Sequence, residues 1–81
     1  MDEQQIMLEL KKFIESDILD SAVKLDPDSN FQIAGIDSFS IVEIILFIQN
    51  KYQLAIPDDQ LIPENFSTLR QLARLVIRVS A

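Results

Sequence analysis

Residues 39–48 read F-S-I-V-E-I-I-L-F-I, eight apolar positions in ten. One buried helix face needs far fewer than that. At about 100° per residue the apolar positions sort into two stripes. Ile41, Ile44, Ile45, Ile48 and Tyr52 form the first, which is assigned to the core. Phe39, Val42 and Leu46 form the second, roughly 90° or more around the helix, bordered by Glu43 and Asn50. A second apolar stripe with a polar rim, on a helix of a small bundle, is expected to be exposed and to bind partners. The alternative is a central helix that buries two faces.

The rest of the chain arranges itself around this helix. Asp37 followed by Ser38 is a good N-cap pair, and the helix is expected to run to about Tyr52. Upstream, Ile6, Leu10, Phe13 and Ile14 share one face of a helix expected over about residues 3–17. The loop between, 19–37, contains D-P-D-S-N at 26–30 and the only glycine, Gly35. Its apolar residues Leu19, Val23, Leu25, Phe31, Ile33 and Ile36 are expected to pin it to the core. Pro57 and Pro63 bracket D-D-Q-L-I, which leaves room for one short helical turn. Ser67 is the expected cap of a last helix. That helix turns Leu69, Leu72, Ala73, Val76 and Ile77 inward and lines up Arg70, Arg74 and Arg78 on one solvent stripe. The expected fold class is all-α, a small bundle of three main helices plus one short helix, forming a single domain over 1–81.

Composition narrows the chemistry. The chain has no histidine and no cysteine, so a Ser-His-Asp triad, a thiolate metal site and a disulfide framework are all excluded. No metal site is expected. The net charge is −6, which disfavours nucleic acid and anionic membranes and favours partners with basic patches. The charge is uneven: all 13 acids lie between Asp2 and Glu64, beside four lysines, and the three arginines follow them. The N-terminal M-D-E-Q-Q shows neither the basic region nor the apolar run of a secretory signal, and no segment reads as membrane-spanning. A cytoplasmic monomer is expected.

The stretch G-I-D-S-F-S-I-V-E-I at 35–44 resembles the phosphopantetheine attachment site of acyl and peptidyl carrier proteins. Gly35, Asp37, Ser38, Val42 and Glu43 match the family pattern in place, and Phe39 and Ile44 replace leucines. Y-Q-L-A-I-P-D-D-Q-L looks like the family's aromatic-to-I-P-D segment, and F-S-T-L-R-Q-L-A like its threonine-capped final helix. The likeness runs from about residue 6 to 79.

The resemblance implies a non-catalytic carrier with 4'-phosphopantetheine, taken from coenzyme A, attached to Ser38. Acyl, aminoacyl or aryl groups would ride on the arm as thioesters. Asp37 would cap the helix and present Ser38, and Gly35 would permit a tight approach to it. Glu43 would meet a partner arginine, beside the apolar stripe of Phe39, Val42 and Leu46 that helix geometry already assigns to partner binding. The implied partners are a phosphopantetheinyl transferase, an acyl- or aminoacyl-loading ligase, and synthase or transferase enzymes with basic or apolar docking patches.

The sequence departs from carriers of primary fatty acid synthesis in one respect. After Asp37 the second helix holds only Glu43, and Gln49, Asn50 and Lys51 stand where such carriers tend to have acids. That favours a specialised biosynthetic pathway over housekeeping fatty acid synthesis. Phe47, where a small residue is common, suggests a narrowed cleft and a short, aromatic or aminoacyl cargo. Two readings compete with the carrier. D-P-D-S-N could open an EF-hand-like calcium loop with Asp37 at its twelfth position, although Phe31 replaces the glycine such loops need. A helical adaptor could use the second stripe without modification at Ser38.

Overall fold

The computed structural model describes residues 2–19 and 24–80. Three α-helices carry the fold: α1 (Glu3–Asp17), α2 (Ser38–Tyr52) and α3 (Leu69–Ser80). Two short 3₁₀ turns, Asp58–Gln60 and Pro63–Phe66, lie between α2 and α3. The described residues are all-α, as the periodicity implies. The second 3₁₀ turn was not expected. Pro63 reads as a boundary, but its fixed φ and missing N–H also suit the first position of a turn.

The helix starts follow from capping. Asp2 accepts the Gln4 amide at 3.2 Å and opens α1. Asp37 accepts the Ser40 amide at 2.8 Å and opens α2. In α3 the cap is Thr68, whose hydroxyl accepts the Gln71 amide at 3.1 Å. Ser67, the expected cap, instead donates to the Glu64 carbonyl and closes the second 3₁₀ turn. Both residues carry the right hydroxyl, and the extra turn shifts the cap by one position.

Ile6, Leu10 and Ile14 of α1 are buried, with Met7 beside them. From α3 come Leu69, Leu72, Ala73, Leu75 and Val76; Leu75 is fully buried and Ile77, expected inside, is only partly so. α1 packs extensively on α3, whereas α2 approaches the others less closely and reaches the core through Ile44 and Ile48. Ile41, Ile45 and Tyr52 of the same stripe are half-buried. Phe47 stacks on Phe13 of α1 with ring centroids 4.0 Å apart and planes 11° from parallel. It belongs to the α1–α2 contact and lines no part of the cleft beside Ser38, so it narrows no cargo space there.

The loop before α2 is tied down on two sides. The Leu25 amide donates to the Glu15 carboxylate at 2.7 Å. The Phe31 amide donates to Ser67 O at 2.8 Å, and the Arg70 amide to Pro27 O at 3.0 Å. Leu25, Phe31 and Ile36 are buried as expected, but Ile33 is 88% exposed. Val23 lies outside the described residues. The arginine stripe of α3 is not simply solvated. Arg70 grips Asp28 through two bonds of 2.9 and 3.2 Å, Arg74 meets Glu3 at 2.9 Å, and Arg78 donates to Asn65 at 3.0 Å. The charge asymmetry of the sequence thus folds back on itself. Asp28, third in the supposed calcium loop, pairs with Arg70, and Asp37, its twelfth position, caps α2.

Candidate functional site

A single well-capped turn delivers the chain to Ser38. The Asn30 carboxamide oxygen accepts the Ile33 amide at 3.0 Å and starts the turn. Gly35 ends it. Its amide donates to Gln32 O at 3.2 Å, and the Ile36 amide donates to Phe31 O at 2.9 Å. This pair of bonds is a Schellman closure, with Gly35 at the left-handed position and Ile36 packed over Phe31. Gly35 has φ +96°, a conformation that L side chains rarely adopt. A Cβ placed there would meet nothing within 4 Å. Gly35 is therefore required for its backbone angle, not for the close approach expected of it. Two residues later the chain reaches Asp37.

Asp37 is extended, with φ −92° and ψ 178°, and its carboxylate turns back to the Ser40 amide. That bond holds its carboxyl below the ordinary carboxylate range. Ser38 follows as the first helical residue and is exposed. Its own amide and that of Phe39 precede the helix ladder, so the serine hydroxyl projects from a fixed turn whose partial charge favours an anion.

Beside Ser38 the exposed face of α2 is apolar. Phe39 is 74% exposed, Val42 54% and Leu46 59%. Glu43 is exposed next to them. The two-stripe expectation is therefore met: one stripe enters the core and the other faces outward. On the other side of Ser38 a cleft of about 570 Å³ opens between α2, the Asn30–Gly35 turn and the segment 61–67. Asp37 and Ser38 stand among its lining residues, with apolar walls from Ile36, Ile41, Ile45, Leu61, Ile62 and Phe66. Sequence reasoning missed Leu61, Ile62 and Phe66. The available signal was an apolar pair in a proline-bracketed segment too short to form a core of its own.

Three carboxylates are held below their usual range: Asp37 by the Ser40 amide, Asp28 by the Arg70 guanidinium, and Glu9 by the Tyr52 hydroxyl donating at 2.6 Å. Each loses protons more readily folded than unfolded. Each therefore contributes stability that is complete above the ordinary carboxylate range and disappears as pH falls through and below it. The thermal midpoint is expected to stay nearly flat from about pH 7 to pH 5 and to fall below about pH 4. Asp28→Asn should flatten the acid limb of a melting-temperature profile, and an unchanged limb would contradict this assignment.

The residues present fit a phosphopantetheine group. An exposed serine hydroxyl sits on a rigid helix start, and an apolar cleft opens directly from it. Comparison with known proteins bears on the same residues. The family model described as "Phosphopantetheine attachment site" matches residues 10–76. An acyl carrier protein of Streptomyces coelicolor is 31% identical over 74 residues, covering 89% of this chain and 78% of that protein. Aminoacyl carrier protein 2 of Bradyrhizobium diazoefficiens is 26% identical over 66 residues, covering 79% and 74%. Among solved structures, a chain from the Bradyrhizobium japonicum glycine:carrier-protein ligase complexed with its cognate carrier protein superposes with a TM-score of 0.75. It is 24% identical, with 94% of this chain and 96% of that one covered, and shows a shared fold. With the capped serine and the match over most of its length, the chain belongs to the phosphopantetheine-binding carrier family and is a non-catalytic carrier with a covalent 4'-phosphopantetheine cofactor.

Proposed function

We propose that Ser38 is the attachment residue, and that the chain carries acyl or aminoacyl groups in a specialised biosynthetic pathway. The observation that carries this reading is the exposed apolar trio Phe39, Val42 and Leu46, set beside the serine with Glu43 as the nearby acid. The arm supplies the terminal thiol on which such groups are held as thioesters. Asp37 and Gly35 fix the turn that presents Ser38. Phe39, Val42 and Leu46 dock the partner enzyme, and Glu43 pairs with a basic group on it. The cleft beside Ser38 receives the apolar part of the cargo.

A transferase that attaches the arm and a ligase that loads it are the partners this reading requires. Relatives that include an aminoacyl carrier, and a structural likeness to a carrier bound to an aminoacyl ligase, support the ligase. We place the chain in the cytoplasm. No described helix is long and apolar enough to cross a membrane, which agrees with that placement.

The rival is housekeeping fatty acid synthesis, whose enzymes would meet a helix rich in acids. Here Asn50 and Lys51 are exposed on the last turn of α2 and carry no negative charge. The holo-chain is expected to be a poor substrate for a housekeeping ketosynthase. Asn50→Asp with Lys51→Glu should raise kcat/KM by about three- to tenfold through electrostatic attraction. Full activity of the unmodified chain, or no gain in the double variant, would favour the housekeeping role.

A further inference from the structure

Asn65 is 5% exposed and is the buried polar residue of the described core. Burying an amide is unfavourable unless its bonding capacity is used. Here it is used, and by partners that share a location. The Asn65 carboxamide nitrogen donates to the Gln60 carbonyl at 2.7 Å and approaches the Gln60 side-chain oxygen at 3.4 Å. Its oxygen accepts from the Arg78 guanidinium at 3.0 Å. Leu or Ile would fill the same volume without these demands, so packing alone does not explain an asparagine here.

What the amide does is geometric. Each 3₁₀ turn is already closed internally, Leu61 to Asp58 at 3.1 Å and Asn65 to Ile62 at 3.0 Å. The Asn65 side chain spans the pair and closes the segment Gln60–Asn65 into a ring. Leu61 and Ile62 sit inside that ring. Each is 43% exposed, and both form the wall of the cleft that faces Ser38. Left untied, two half-exposed apolar residues between short turns would have little to hold them. Arg78 differs from its neighbours on the stripe in reaching an amide where Arg70 and Arg74 reach carboxylates. It thereby joins the cleft wall to α3.

We propose that Asn65, held by Arg78, is a latch that sets the position of the Leu61–Ile62 wall and so determines how firmly an apolar acyl group is retained beside Ser38. This rests on the reading that the cleft receives the cargo. With the latch closed the wall covers an aliphatic chain. With the amide removed the wall loosens and the thioester becomes open to solvent. A small polar cargo, which does not fill the cleft, is indifferent to the latch.

The test uses the full chain loaded by a promiscuous phosphopantetheinyl transferase from octanoyl-coenzyme A or acetyl-coenzyme A. The rate of thioester cleavage by hydroxylamine is followed by intact mass. In the unmodified chain octanoyl is expected to be cleaved more slowly than acetyl. In Asn65→Ala and Arg78→Ala that protection should fall by about five- to tenfold, as befits loss of one hydrogen bond. Acetyl cleavage should not change. Arg78→Lys should restore part of the protection. Ile14→Val, a core change remote from the cleft lining, lowers stability and should leave the ratio intact. Protection that survives in both latch variants, or falls equally in Ile14→Val, overturns the latch and leaves the cleft reading standing. No protection of octanoyl in the unmodified chain overturns the cleft reading itself and the latch with it.

Discussion

Leu46→Glu is expected to lower kcat/KM with the partner that loads or unloads the arm by about ten- to a hundredfold, the range of a central apolar contact. Attachment of the arm should change little. Leu46 is more than half exposed, so a glutamate there costs the fold little and melting temperature should barely move. Its cost appears when a partner surface closes over it, because a carboxylate must then be desolvated in an apolar contact. Phe39 and Val42 lie on the same stripe and should behave alike, with Phe39 closest to the serine. Measuring both attachment and turnover separates docking from folding. Unimpaired turnover by the chain's own partners would remove the apolar stripe from the docking account.

Much of this could be read from the residues alone, and the parts that could not have a common cause. α1 and α2 have the expected bounds because the Ile6, Leu10, Ile14 face and the Asp37 cap with its apolar run are purely local signals. The two stripes of α2 were legible because helix geometry fixes them whatever surrounds the helix. Asn30 and Gly35 were visible as turn residues, but their five-residue spacing, the signature of one capped turn, was not used. Ser67 and Thr68 offer the same chemistry; the family likeness points to the threonine, and the unforeseen 3₁₀ turn that Ser67 closes explains why.

Long-range features were the ones missed. Leu61 and Ile62 reach the neighbourhood of Ser38 across more than twenty residues of sequence, so no local pattern announces the cleft. The arginines looked solvated because their partners Glu3, Asp28 and Asn65 come from other parts of the chain. Phe47, standing where a small residue is common, is expected to narrow the cleft, but Phe13 on α1 claims it. Ile33 counted as a core residue by type, yet the capped turn that orients Ser38 turns Ile33 outward.

Ser38→Ala should abolish arm attachment entirely, and with it every loading reaction, because it removes the exposed hydroxyl on the first turn of α2. Ser40, two residues on, is only partly exposed, whereas Ser38 is exposed. The substitution should leave the fold intact, since Ser38 is exposed and makes no cap of its own; alanine is also a better helix former. A far-ultraviolet spectrum and thermal midpoint matching the unmodified chain would establish that the loss is chemical and not structural.

The most direct measurement is the intact mass of the purified chain after incubation with coenzyme A, magnesium and a promiscuous phosphopantetheinyl transferase, followed by fragmentation to locate the adduct. The account predicts one phosphopantetheine adduct, on Ser38, and none in Ser38→Ala. An unmodified chain, or an adduct that persists in Ser38→Ala, would contradict it.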